Sequence, residues 1–227
     1  MLTPEDLSAL AITLKLAGLS TIILLLVGTP IAWWLSKCKK AYKAAIEAIV
    51  ALPLVLPPTV LGFYLLLTFA PSSPVGSSWF ALTGQSLAFS FAGLVVGSVI
   101  YSFPFVVQPL QNAFEKVPQQ LLENAAMMGA SPRDQFFSLV VPTCSRAFLT
   151  ASILAFAHTV GEFGVVLMIG GNIPGETQVV SIAIYEHVEA IEYTQAHQLA
   201  ALLLVGSFLV LLFTYWINFR GKNKSWH

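Results

Sequence analysis

His158 and Glu162 stand four residues apart in an otherwise apolar stretch. On a helix that spacing puts two side chains on one face. An imidazole and a carboxylate together could hold a metal or relay a proton. One His and one carboxylate supply only half of a zinc ligand set, however. The pair therefore reads first as a polar patch on a wet cavity or a subunit interface. Ionisable groups inside apolar spans are functional candidates by default, and glycines on both sides of Glu162 permit a bent helix or a close backbone approach. A second group holds Glu186, His187, Glu189, Glu192 and His197, interleaved with Val179, Val180, Ile182, Ile184 and Val188. That interleaving predicts a short amphipathic helix or re-entrant piece with a solvated polar side. Cys38 and Cys144 are too few for a disulfide framework, and neither sits in a metal-like cluster. Gly221-Lys222 lacks the earlier Gly and the following Ser or Thr of a phosphate-binding loop. Neither G-x-S-x-G nor H-E-x-x-H occurs. The chain is therefore expected not to be an enzyme, and not to hydrolyse ATP itself.

The elements that carry these residues follow from composition. The 227 residues are 56% hydrophobic and only 10% charged, against about 25% charged in an ordinary soluble domain. Mean hydropathy is +0.78. So much apolar surface requires lipid as part of the solvent. A net charge of zero argues against nucleic acid as a partner. Five apolar stretches are long enough to span a bilayer as helices: residues 10–35, 46–69, 87–110, 143–169 and 199–219. The predicted class is all-α, a polytopic helical membrane protein forming a single domain over residues 1–227. The first stretch follows Glu5 and Asp6, without a preceding basic residue, and is longer than a signal-peptide core. It reads as a permanent span. Lys37, Lys39, Lys40, Lys43, Lys116, Arg133, Arg220, Lys222 and Lys224 all fall on one side, while Lys15 and Arg146 lie within span ends. The opposite loops hold no Lys or Arg. The positive-inside rule then puts the N-terminus outside and the C-terminus in the cytoplasm.

Two segments depart from plain spans. The second stretch contains Pro53, Pro57 and Pro58. Proline removes a backbone donor and frees a carbonyl one turn earlier. Such a break either lines a pathway or kinks the helix to fit its neighbours. The connection 111–142 is long for so compact a chain and should carry function. Residues 119–128 predict a helix with Leu121, Leu122, Ala125, Ala126 and Met128 able to share a face, and Gly129 ends it. Ser131, Pro132 and Asp134 then form an N-cap, a first helical position and a capping-box partner for a second helix over 132–139, which holds Phe136 and Phe137. The segment is nearly charge-balanced and offers Phe and Met knobs, a composition that suits a protein cleft better than a lipid surface.

Glu123-Asn124-Ala125, three residues, Gly129, nine residues, then Leu139-Val140-Val141-Pro142 resembles the EAA loop of bacterial ABC importer permeases, with Asn124 in place of the first Ala. The stretch from Ala51 to Gly62, and Gly161-Glu162-Phe163-Gly164 followed by Gly171-Asn172-Ile173-Pro174-Gly175, are similar to the molybdate/tungstate permease group. The resemblance implies a homodimeric permease in the bacterial or archaeal plasma membrane. Its implied partners are two ABC ATPase subunits, which carry the ATP and Mg, and an extracytoplasmic oxyanion-binding protein. The chain itself would need no cofactor. Glu123, Asn124, Ala125, Gly129, Ser131, Pro132, Arg133 and Phe136 would couple to the ATPase. Pro57, Pro58, Thr59, Gly161, Glu162 and Gly164 would line the translocation pathway. Sulfate, thiosulfate or phosphate is the alternative cargo. A secondary transporter would carry an inverted repeat, and none is visible.

Overall fold

The computed structural model describes residues 2–222, with side chains as far as residue 212. Lys224 lies outside the described residues, as do the side chains of Arg220 and Lys222.

Helix α1 runs Pro4–Lys37, started by Thr3 in a capping box with Asp6. Its buried positions, among them Ala9, Thr13, Leu16, Ser20 and Leu24, recur three or four residues apart. Leu14, Ile22 and Leu26 on the other side are exposed. Both faces are apolar, as expected where lipid replaces water. The Lys15 ammonium sits over the Phe91 ring and that of Lys37 over Trp33, each 4.6 Å from the ring centroid. At 1.5 Å per residue, Lys15 and Lys37 lie about 33 Å apart along α1, close to the thickness of a hydrocarbon core. Trp34 stacks on Tyr42 beside the Lys37 end, the usual company of an interface.

The second stretch divides into α2 (Lys43–Val55) and α3 (Pro58–Phe69), bent by 109°. Leu56 is extended, with ψ 135°, because a residue before proline avoids the α region. The uncharged connection that follows forms a helix not expected from the sequence, α4 (Pro74–Thr83), capped by Ser73. Helices α5 (Phe91–Ser102) and α6 (Pro104–Glu115) form one continuous span, which extends beyond the expected end at residue 110. The connection 111–142 holds α7 (Gln119–Met127) and α8 (Pro132–Gln135). The second helix expected over 132–139 stops at Gln135. A π-turn, Phe136–Val140, replaces its remainder and leads into α9 (Val141–Thr143). Pro142 has no amide to donate one α turn back, and the Val141 amide reaches the Phe136 carbonyl instead.

Helix α10 (Ser145–Val160) is bent by 73° from the preceding segment. Residues 143–169 are therefore not one helix. The chain breaks after Val160, with Phe163 at φ −129° and ψ −61°, and resumes as α11 (Gly164–Gly170). The segment after α11 forms α12 (Val180–Glu189), and α13 (Tyr193–Lys222) follows. Among the described residues, three helices are of spanning length and two bent pairs bring the spans to five.

Two large apolar clusters fill the interior, and a smaller third one joins Ala9 of α1 to Val180, Ala183 and Leu199. One gathers Leu24, Leu35, Val106, Leu110, Phe114, Val140 and Ala151. The other gathers Leu16, Leu65, Phe69, Leu94, Val165 and Ile169. Val99 packs against both.

Candidate functional site

Helices α3 and α11 lie side by side with almost no space between them. A Cβ on Gly164 would stand 2.8 Å from Pro58 Cβ, and one on Gly62 would stand 2.8 Å from Met168 Cβ. Gly164 thus opposes Pro58 and Met168 opposes Gly62, so the two half-helices run in the same direction. Both begin at one cavity of about 520 Å³, lined by Pro58, Thr59, Tyr101, Ala157, His158, Gly161, Glu162, Phe163 and Gly164. Of the six residues assigned to a pathway from sequence, Pro58, Thr59, Gly161, Glu162 and Gly164 meet here. Pro57 caps α3 just before the wall.

His158 and Glu162 both reach the cavity, but not as neighbours on one helix face. The helix ends at Val160, and Glu162 belongs to the break. The Glu162 side chain is 4% exposed. Neither of its oxygens has a hydrogen-bond partner among the described residues. The Ser98 hydroxyl lies beside it, yet the geometry falls short of a hydrogen bond. The Glu162 carbonyl accepts from Ser181 Oγ at 2.5 Å, tying the break to α12. His158 Nδ1 lies 2.8 Å from Ser102 Oγ, which lies 3.2 Å from Thr159 Oγ1. The His158 ring stacks on Phe105 and tilts against Tyr101. Ser98, Tyr101 and Ser102 were not singled out from sequence. Their spacing of three and four on an otherwise apolar helix was the available signal.

The acidic and imidazole cluster of α12 and the turn after it resolves into tethers. His187 Nε2 lies 2.9 Å from Asp6 Oδ1, and its Nδ1 lies 2.9 Å from Glu192 Oε2. The Val180 amide donates to Thr13 Oγ1 at 2.8 Å. Helix α12 is therefore fixed to the N-terminal end of α1 at two points. Gln178 and Asn172 both donate to Glu186.

At the opposite end, α7 closes with a left-handed Gly129 at φ +87°. The Ala130 amide reaches the Ala125 carbonyl and the Gly129 amide reaches that of Ala126, the paired bonds of a Schellman cap. Ser131 and Asp134 form the expected capping box. Glu123 bonds only Gln119 on its own helix, at 2.9 Å; Asn124, Pro132 and Arg133 are exposed, while Ala125 is buried. Of the apolar residues offered as one face, Met128 and Ala126 are exposed, and Leu122 packs inward. Phe136 does not project as a knob. Its ring packs on Trp33, with centroids 5.3 Å apart, and on Phe114 at 6.0 Å. Phe137, Met127 and Met128 are the most exposed large apolar side chains of the corner, and Leu121 is exposed as well.

Residues 14–222 match the description of a binding-protein-dependent transport system inner membrane component. The molybdenum transport system permease protein ModB of Azotobacter vinelandii is 59% identical over 214 residues, covering 94% of this chain and 95% of the relative. A probable sulfate transport system permease protein of Zygnema circumcarinatum is 31% identical, covering 98% of this chain and 77% of its own. The fold is similar to a chain of a bacterial alginate ABC transporter crystallised with a periplasmic protein, at TM-score 0.76 and 19% identity, over 93% of this chain and 77% of the other. With its glycine corner at one end and its broken spans around a cavity, the chain belongs to the family of binding-protein-dependent transport system inner membrane components.

Proposed function

We propose that the chain forms the translocation pathway of an ATP-driven importer whose cargo is molybdate or the closely similar tungstate. One observation carries this reading: five residues picked from the sequence as pathway residues line a single cavity at the paired starts of α3 and α11. Pro58 has no amide and the Val60 amide bonds the Pro57 carbonyl, so Thr59 carries the first amide of α3 and Gly164 that of α11; the aligned peptide dipoles favour an anion there. Thr59 and Tyr101 add hydroxyls. Among the described residues, no Lys or Arg lines the cavity. Neutral donors of this kind let an oxyanion enter and leave, whereas a fixed cation would retain it.

Energy reaches the cavity along a continuous path. The corner from Glu123 to Arg133 docks on an ATPase subunit that carries ATP and Mg. Its movement passes through Phe136 to Trp33 on α1 and Phe114 on α6. The same segment continues through the π-turn into α10, whose far end carries His158 and adjoins Glu162. The working unit is a homodimer with two ATPases and an extracytoplasmic binding protein, set in the plasma membrane with the N-terminus outside. The chain needs no cofactor of its own.

The test is uptake of radiolabelled molybdate by the chain reconstituted with its ATPase and binding protein. Uptake that needs ATP and is blocked by tungstate but not sulfate is expected. Equal competition by sulfate would replace the cargo with sulfate, in line with the sulfate permease relative. No uptake of any oxyanion by an assembled complex would overturn the reading.

A further inference from the structure

Helix α1 ends in a run of cations without counter-charges. Lys37 closes the helix, and Lys39 and Lys40 follow in the turn before α2. All three are exposed. Among the described residues, the lysine that meets a carboxylate is Lys43, which holds Glu47 and Glu115. Lys39 instead sets a like charge against Lys37. What surrounds the three ammoniums is aromatic. Lys37 Nζ lies over the Trp33 ring at 4.6 Å, and Lys40 Nζ over the Tyr42 ring at 5.6 Å. Trp34 stacks on Tyr42 with centroids 6.2 Å apart, and both are nearly half exposed. Exposed Trp and Tyr at the end of a span belong at headgroup level. Two turns earlier on α1, Val27 is exposed as well, so an apolar stripe runs from Trp34 into the span.

Unpaired ammoniums at this depth attract anionic headgroups. We propose that the turn between α1 and α2 binds an anionic phospholipid. Lys37, Lys39 and Lys40 take its phosphate, Trp34 and Tyr42 lie against its glycerol, and an acyl chain descends past Val27. An acidic protein surface would answer the charges but not the apolar stripe that continues from them. Trp33 packs on Phe136, so the bound lipid steadies the end of α1 on which the glycine corner leans. The site is independent of the cargo.

Native mass spectrometry tests this on the full chain assembled with its ATPase, titrated with phosphatidylglycerol or phosphatidylcholine of the same acyl chains. Wild type should retain phosphatidylglycerol about tenfold or more tightly. Combining Lys37→Gln, Lys39→Gln and Lys40→Gln should remove most of that preference, while Arg at the same three positions should keep it. Should the triple Gln variant fail to fold, Lys39→Gln with Lys40→Gln, both outside the helix, should still cut the preference by about threefold or more. Lys116→Gln removes a cation elsewhere and should leave it unchanged. Millimolar inorganic phosphate should not displace the lipid. Equal retention of the two lipids by wild type would overturn the proposal, as would an undiminished preference in the Gln variants or an equal loss in Lys116→Gln. Displacement by phosphate would make the turn a free-anion site instead. Loss of the ATPase from the Gln variants with the lipid preference intact would make it a protein contact.

Discussion

Single atoms decide the behaviour of this chain at two places. At Gly164, the missing Cβ lets α11 touch Pro58. A valine there must push the half-helices apart, at a cost of about 1–3 kcal/mol for overpacking. Gly164→Val should therefore lower the melting temperature in detergent and abolish uptake. Gly161→Ala should be better tolerated, because its added carbon meets nothing closer than 3.7 Å. At His187, carboxylates face both ring nitrogens. The hydrogen bond to Asp6 leads in raising the imidazole above its ordinary pKa; burial opposes the rise, and Glu192 adds to it. A raised folded value stabilises the protein fully below the unfolded value of about 6.5 and ceases to do so as pH rises through the folded value. The melting-temperature gap between wild type and His187→Asn should thus be largest near pH 6 and close on the alkaline side. A gap that widened with pH would refute the tether as described.

Elements behave less locally, and the cytoplasmic corner shows how. Phe136 and Phe137 are neighbours with opposite duties. Phe136 packs under Trp33 and Phe114, whereas Phe137 is 68% exposed. Phe136→Ala should cost on the order of 2 kcal/mol of stability, since the residue is only partly buried. Phe137→Ala should leave the melting temperature unchanged and weaken co-purification of the ATPase subunit. Gly129→Pro should abolish uptake while membrane insertion continues, because the left-handed φ of +87° is closed to proline. Much of this corner could be read from residue types alone: Gly129 as a C-cap, Ser131 with Asp134 as a capping box, and Pro57 with Pro58 as a break. The sequence was less informative where the signal was tertiary. The glycines around Glu162 allowed a bend within residues 143–169 but did not fix its place; the close packing of Gly164 against Pro58 of α3 accompanies the end of α10 at Val160. Helix α4 was missed because its segment, though uncharged, is too short to span. Phe136 looked like a docking knob because nothing local reveals that Trp33 lies above it.

The whole molecule is set in the bilayer by α1. Lys15 and Lys37 each lie over an aromatic ring about one hydrocarbon thickness apart along it, and its first turns are joined to α12; with the orientation proposed above, those first turns stand on the outer side. Orientation can be tested directly. With Cys38 and Cys144 first replaced by serine, Ser77→Cys on α4 should react with a membrane-impermeant maleimide added to intact cells. Lys116→Cys should react only after the membrane is opened. Both positions are exposed, so the reverse pattern would invert the topology. The π-turn at Phe136–Val140 has a consequence for alignment on this larger scale. Such a turn holds one residue more than an α turn. Because Pro142 has no amide to close an α turn, that surplus is held at this place. It shifts the helical phase of the chain that follows by about 100°, so the corner and the column above it present faces that one unbroken α-helix could not have aligned.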